Sequence, residues 1–300
     1  MKIIKQLAII GATASGKTAL SINLAKQLNA NILSLDSLSI YKEIDIVSAK
    51  PSFKERDGVP HFGIDHLYPN EAFDVKTYIN LYKSVYEQSQ REDKNLVIVG
   101  GSSFYLKMLI EGVSPIPTIS KPIKEKTKSY LNNLDKSYKL LYDEDKRYMS
   151  QIKPNDKYRI EKALLIYLET GITPSEYFRL NPPKPAISEE LPIYQIDTPR
   201  DILRERIAQR TKIMIKDGLI DEVCDLEYKY TREPNAMKSI GIKETLDYLN
   251  GLYNRDMLIE KITTHTARLA KRQNTFNNSQ FEGVIKNNLE KLSGILLNSY

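Results

Sequence analysis

The chain has 300 residues and a formal net charge of +6, long enough for one large domain or two modest ones and basic enough for an acidic partner. Its 41% hydrophobic and 27% charged residues are those expected of a soluble globular protein. A single cysteine, Cys224, excludes an internal disulfide, and with only His61, His66 and His265 beside it no structural zinc site of the usual kind can form.

Leu7-Ala8-Ile9-Ile10 reads as a short buried strand. Residues 11–18 then read Gly11-Ala12-Thr13-Ala14-Ser15-Gly16-Lys17-Thr18, the G-x-x-x-x-G-K-[ST] pattern of a P-loop. Thr18 to Leu28 has helical spacing, with Leu20, Leu24 and Leu28 on one face. Strand, loop and helix are in the order a P-loop needs. Its glycines let backbone N–H groups turn inward around phosphate, the helix start adds its positive end, Lys17 reaches the outer oxygens, and the Thr18 hydroxyl suits Mg²⁺. A di- or triphosphate is therefore expected to bind; the pattern does not say which.

Ile32-Leu33-Ser34-Leu35 reads as a second strand ending at Asp36. Val75 to Gln90 is a helix with Val75, Ile79, Tyr82 and Tyr86 at 3–4 spacing. Leu96-Val97-Ile98-Val99 is a buried parallel strand closed by Gly100-Gly101, and Phe104 to Ile110 starts another helix. This alternation predicts an α/β fold with a doubly wound parallel sheet. At Ser114-Pro115-Ile116-Pro117 the pattern changes. From Lys121 to Arg179 there is no strand signal, and the segment carries thirteen Lys/Arg, nine Asp/Glu and seven tyrosines. Asn181-Pro182-Pro183-Lys184-Pro185 closes it. Ile193 to Ile196 restores a strand, Asp197-Thr198-Pro199 is read as capping a new helix with Pro near its first position, and helices continue to Phe276. The tail after Asn277 is polar, then amphipathic. The division expected is a P-loop core in two parts, residues 1–115 and 190–300 with C-terminal helices, around an all-helical insertion at 116–189. No run of about 18 apolar residues occurs, so no membrane span is expected. The first strand begins too early for a signal peptide, so the cytoplasm is the expected location.

Asp36 stands where strand ends converge on the ligand crevice, and a carboxylate there can take a proton from a nucleophile; it could equally cap a turn. An ATPase or GTPase would end the 96–99 strand with an Asp for Mg²⁺. Gly100-Gly101-Ser102-Ser103 stands there instead, read as close backbone approach to a substrate or as a tight turn. Arg206 and Arg210 share a helix face and could clamp a diphosphate or simply face solvent. Lys261, Arg268, Lys271 and Arg272 form a basic stripe, and Arg147, Arg159 and Lys162 lie among tyrosines; either group suits RNA or is ordinary charged surface. Cys224, beside Val223 and near Leu226, is read as a core position.

Together the pieces resemble the bacterial tRNA dimethylallyltransferase (tRNA isopentenyltransferase) family along nearly the whole chain. GATASGKT resembles its P-loop, Asp36-Ser37-Leu38-Ser39-Ile40-Tyr41 its D-S-x-x-x-Y block, and Asp45-Ile46 followed by Ser48-Ala49-Lys50-Pro51 its D-I-G-T-A-K-P stretch, with Val47-Ser48 in place of G-T. Pro60-His61 with Asp65, Val99-Gly100-Gly101-Ser102, Arg206-Ile207 to Arg210, Gly218-Leu219 with Glu222-Val223, Ser239-Ile240-Gly241 and Ala270-Lys271-Arg272-Gln273 follow in the family's order. Departures are Ser39 for the usual Gln, Ile242 for Tyr, and Phe276 for Trp. The resemblance implies transfer of a dimethylallyl group from dimethylallyl diphosphate to N6 of adenosine 37, beside the anticodon of tRNA. It implies Asp36 as general base, with Lys17, Arg206 and Arg210 neutralising the diphosphate on the loop Gly11 to Thr18, Mg²⁺ at Thr18, and Ser102 near the adenine. It implies tRNA contacts at Asp36, Ser37, Leu38, Ser39, Ser102, Lys124, Tyr158, Arg159, Ile160, Glu161 and Lys162, on the anticodon arm. A monomer is expected. On residues alone, a P-loop kinase of a small metabolite and an RNA-binding module with a vestigial nucleotide site stay open as rivals.

Overall fold

The computed structural model describes residues 3–299. In chain order it runs β1 (Gln6–Gly11), α1 (Lys17–Gln27), β2 (Ala30–Ser34), α2 (Phe53–Arg56), β3 (His61–Phe62), α3 (Val75–Arg91), β4 (Asn95–Gly100) and α4 (Ser103–Glu111). Five helices follow: α5 (Lys121–Leu131), α6 (Leu134–Glu144), α7 (Lys146–Met149), α8 (Lys157–Thr170) and α9 (Pro174–Leu180). Then come β5 (Ile193–Ile196), α10 (Arg200–Lys216), α11 (Leu219–Tyr230), α12 (Ile242–Leu249), α13 (Arg255–Gln280), β6 (Ile285–Asn287) and α14 (Leu289–Ser299). The chain divides into two compact units: Glu111–Ala186, and the residues on either side of it.

The flanking residues form an α/β unit on a parallel six-stranded sheet, ordered β3-β2-β4-β1-β5-β6. The apolar runs of β1, β2 and β4 are buried because helices cover both faces of a doubly wound sheet. Leu20 and Leu24 of α1 pack with Leu7, Ile9 and Ile32, and Leu292 and Leu296 of α14 close the same cluster. The register sets Ile10 beside Gly100 and Ser34 beside Val99. The C-terminal ends of β1, β2 and β4 therefore share one edge, where such sheets bind ligands.

Several local expectations differ. On α3 the buried face is Tyr78, Leu81, Tyr82 and Val85, not the Val75–Ile79–Tyr86 row. Tyrosine reads as apolar or polar, and Tyr78 is drawn inward by donating to Ser34 O at 3.0 Å. Helix α10 begins after Pro199, which is itself the cap residue, with no side-chain cap from Asp197 or Thr198. Cys224 is exposed: α11 buries Leu219, Val223 and Leu226, and the next position turns about 100° outward. Helix α13 continues past Phe276 to Gln280. Strands β3 and β6 carry no periodic signal; β6 is an edge strand whose first two residues are exposed.

The unit Glu111–Ala186 is helical around Leu141, Met149, Ile152, Ile160, Ala163 and Leu164. Buried Asp145 accepts from the amides of Tyr148 (3.0 Å) and Ser175 (2.7 Å), tying α7 to the start of α9. Its two chain ends meet where Val113 pairs with Lys184. Gly112 is required there: its φ is +82°, and a Cβ would lie 2.3 Å from the Lys184 backbone.

Candidate active site

The loop after β1 bends through Ala14 (φ 64°) and Gly16 (φ 94°), then α1 starts with its first amides free of intrahelical partners. Lys17 folds beneath this loop and donates to Gly11 O at 2.9 Å and Ala12 O at 2.6 Å. Burial lowers its pKa to about 8, opposed by the Asp36 carboxylate and aided by the Arg210 cation. Thr18, at the open end of the helix, is exposed and faces the cavity.

Asp36 forms the facing wall. Its Oδ1 accepts from the amides of Leu38 (2.8 Å) and Ser39 (3.0 Å), so it does make the turn that its Asp-Ser sequence permits. Both amides take the same oxygen, and Oδ2 accepts no hydrogen bond among the described residues. Ser102 Oγ accepts from the Ser37 amide at 3.3 Å, which locks the ends of β2 and β4 together. Ser37 is exposed, Leu38 half-buried, and Ser39 buried while still lining the cavity. Gly100 and Gly101, at the end of β4, both line the cavity, and each also lets protein come close. A Cβ on Gly100 would lie 2.7 Å from the Leu35 backbone, and one on Gly101 2.5 Å from the Gln273 side chain.

Helix α10 brings both predicted arginines to this edge. Leu203 and Ile207 are buried against Ala12 and Ala270, which turns Arg206 and Arg210 to the cavity. Arg206 donates to Ala14 O at 3.4 Å and Arg210 to Ala49 O at 3.0 Å. Burial draws the Arg210 guanidinium below its ordinary value, with Asp36 and Glu55 opposing. Together these groups line a cavity of about 1030 Å³ that holds Lys17, Thr18, Asp36, Arg206 and Arg210. No group of three or more His, Cys, Asp or Glu that could hold a metal exists among the described residues. The donor set present, one hydroxyl beside a phosphate loop, fits a cation that takes most of its ligands from phosphate and water, as Mg²⁺ does.

Three side chains of this site have no independent signal in the sequence. Glu222 on α11 accepts from the amides of Asp45 (2.9 Å), Ile46 (2.7 Å) and Val47 (3.0 Å), fixing the loop that offers Ala49 O to Arg210. Burial raises its pKa, and the three amides oppose that. The Lys50 ammonium is buried between Asp45 and Asp65 and donates to Tyr41 O at 2.9 Å. Gln273 on α13 accepts from the Thr13 amide at 2.8 Å. Their partners lie 5 to 260 residues away, so only the blocks of the resemblance that carry Lys50, Glu222 and Gln273 hinted at them.

The other predicted contacts lie in the helical unit. Lys124 is exposed on α5, and Tyr158 and Arg159 are exposed on the first turn of α8. Lys162 sits over the Tyr158 ring, 5.4 Å from its centroid. Arg159 pairs with Asp156 at 3.5 Å, and Glu161 is half-buried. Ile160 is a correction: it is 0% exposed in the unit's core, so its side chain supports α8 and offers no contact surface. On α13, Lys261, Arg268, Lys271 and Arg272 are all exposed. No helix among the described residues is long and apolar enough to cross a membrane.

A family model described as IPP transferase matches residues 39–280. A tRNA dimethylallyltransferase of Sulfurovum sp. (strain NBC37-1) is 62% identical over 294 residues, 98% of each chain. That of Sulfurimonas denitrificans is 58% identical over 98% of this chain and 99% of its own. Among solved structures, the full-length tRNA isopentenylpyrophosphate transferase of Bacillus halodurans superposes with a TM-score of 0.72 at 29% identity, over 99% of this chain and 95% of that one. A eukaryotic dimethylallyltransferase captured acting on tRNA gives 0.82 at 25% identity, over 96% of this chain and 75% of that one.

Proposed function

The chain belongs to the IPP transferase family, and from that premise we propose that it transfers a dimethylallyl group from dimethylallyl diphosphate to N6 of adenosine 37 in tRNA, releasing diphosphate. The observation that carries this reading is a cavity lined together by a P-loop, Lys17, two arginines and Asp36, whose carboxylate keeps one oxygen without a hydrogen-bond partner among the described residues. A P-loop alone would hold phosphate. The added carboxylate supplies what an amine nucleophile needs.

In this reading the loop amides, Lys17, Arg206 and Arg210 hold the diphosphate and take up the charge that develops as the C1–O bond breaks. The adenosine leaves its stack to enter the cavity, as bases must when their exocyclic groups react. N6 bonds to C1, and Asp36 Oδ2 accepts the N6 proton. Ser102, fixed against Ser37, stands at the adenine side. Mg²⁺ held by the Thr18 hydroxyl and the diphosphate oxygens would offset negative charge there. The helical unit contributes exposed Lys124, Tyr158 and Arg159 and half-buried Lys162 to the anticodon arm, phosphate by cation and base by ring.

The test is direct. The purified protein is incubated with unmodified tRNA and dimethylallyl diphosphate, and adenosine 37 is examined by mass spectrometry. A dimethylallyl adduct on N6 is the expected result. ATP turnover on a small acceptor with no adduct would replace this reading by a kinase.

A further inference from the structure

P-loop proteins that use nucleoside triphosphates hold the outer phosphates between the loop and a neighbouring strand, with a carboxylate at that strand's end for the metal. In this chain that neighbour is β4, paired with β1, and its end is Gly100-Gly101. One side chain fills the gap. Gln273 Oε1 accepts from the Thr13 amide at 2.8 Å. Its Nε2 lies so close to Gly101 that a Cβ there would be 2.5 Å away. The carboxamide therefore spans from loop to strand end.

The wedge is held in place. Ala270, one helical turn earlier on α13, packs against Ala12 of the loop and against Leu203 and Ile207 of α10. That contact presses α13 onto the loop and sets the height at which Gln273 enters. The cationic groups gather on the other side, where Lys17 lies under the loop and Arg206 reaches Ala14 O. Amides at the start of α1, Lys17 and both arginines remain for phosphate. The Thr13 donor does not, and the volume beside it is taken.

We propose that Gln273 is a specificity residue that closes the P-loop to a third phosphate, so that the site takes diphosphates and rejects triphosphates. The inference rests on reading the cavity as the donor-diphosphate site. Its physical content is separate: one amide and one volume are denied to the outer phosphate of a longer chain. A neutral carboxamide does this without repelling the diphosphate beside it, whereas a carboxylate at the same place would.

Inorganic diphosphate and tripolyphosphate serve as probes, titrated by calorimetry into the full chain in the presence of Mg²⁺. The unaltered protein is expected to favour diphosphate. Gln273→Ala frees the Thr13 amide and should raise tripolyphosphate affinity by roughly ten- to a hundredfold relative to diphosphate, the worth of one hydrogen bond to a charged group. Gln273→Glu keeps volume and acceptor but adds charge, and should widen the preference for diphosphate; it carries the test should the alanine variant not fold. Equal binding of the two probes by the unaltered protein would overturn the proposal. So would a parallel fall of both affinities in Gln273→Ala, the mark of a residue that only props α13, or an unchanged ratio in Gln273→Glu. Dimethylallyl transfer by the unaltered protein is assayed separately. Its absence would remove the donor reading while leaving the diphosphate preference to stand or fall by itself.

Discussion

In the α/β unit the candidate contacts are backbone amides and side chains fixed by strand ends; in the unit Glu111–Ala186 they are long side chains on helix surfaces. Asp36 is held by two amides and Arg210 by Ala49 O. Tyr158 is 68% exposed, and among the described residues the one ion pair of the polar residues predicted beside it is that of Arg159 with Asp156, the cap of the same helix. The first kind of site is preorganised, and its groups should matter individually and strongly. The second is a surface whose members share the work, each worth little and each sensitive to salt. The cores differ too. The sheet is sealed by helices from both ends of the chain, whereas the helical unit rests on the small cluster around Leu164.

The sharpest break in that comparison is Asp36→Ala. Single-turnover dimethylallyl transfer should fall by about 10²–10⁴, the usual range for losing a general base, with tRNA affinity within several-fold. An unchanged rate would remove Asp36 from the chemistry. Next is Leu164→Ala in the core of the helical unit, expected to cost that unit about 2–5 kcal/mol. Denaturant unfolding should show the loss while calorimetric diphosphate affinity holds; a joint loss would mean that the units do not respond separately. Arg210→Ala should weaken diphosphate binding by roughly ten- to a hundredfold, because a charge-assisted hydrogen bond is removed. Equal binding would return Arg210 to the structural support of Ala49.

A smaller effect follows pH. Lys17 titrates near 8 in the folded protein, below its ordinary 10.5. Between those values the unfolded chain holds a proton that the folded chain has lost, so this group makes stability rise with pH across that window. Diphosphate favours the ammonium. Its affinity should fall as pH rises through about 8, with proton uptake on binding seen as a dependence of the calorimetric heat on buffer ionisation enthalpy. No uptake at pH 9 would show that Lys17 does not meet the ligand. The smallest effects belong to Lys124→Ala and Lys162→Ala. Each should lower the slope of log affinity for tRNA against log salt by about 0.7–0.9, one phosphate contact apiece. Unchanged slopes would move the RNA surface to the exposed Lys261–Arg272 stripe.

What could be read from the sequence was whatever a local backbone requirement or a short period enforces. The P-loop is such a case: Gly16 sits at φ 94° with Leu289 packed where a side chain would begin, so few other residues can stand there. The runs of β1, β2 and β4 are legible because both of their faces are covered, and Asp36 because the end of a strand is a place countable along the chain. The same logic failed where the period was ambiguous. The tyrosines of α3 fit two faces, and β3 and β6 are too short to have a period at all.

Tertiary structure alone decided the rest. Whether Gly101 lies against a substrate or a side chain depended on α13 delivering Gln273 from the far end of the chain. Whether Glu222 was surface charge or the anchor of residues 45–47 depended on α11 packing there. Ile160, read with its neighbours as one contact run, turned inward because a helix sends consecutive residues about 100° apart. Local sequence determines conformation over a few residues. Which distant group meets an amide is settled only when whole helices pack, since the energy of one hydrogen bond is small beside that of the core that places it.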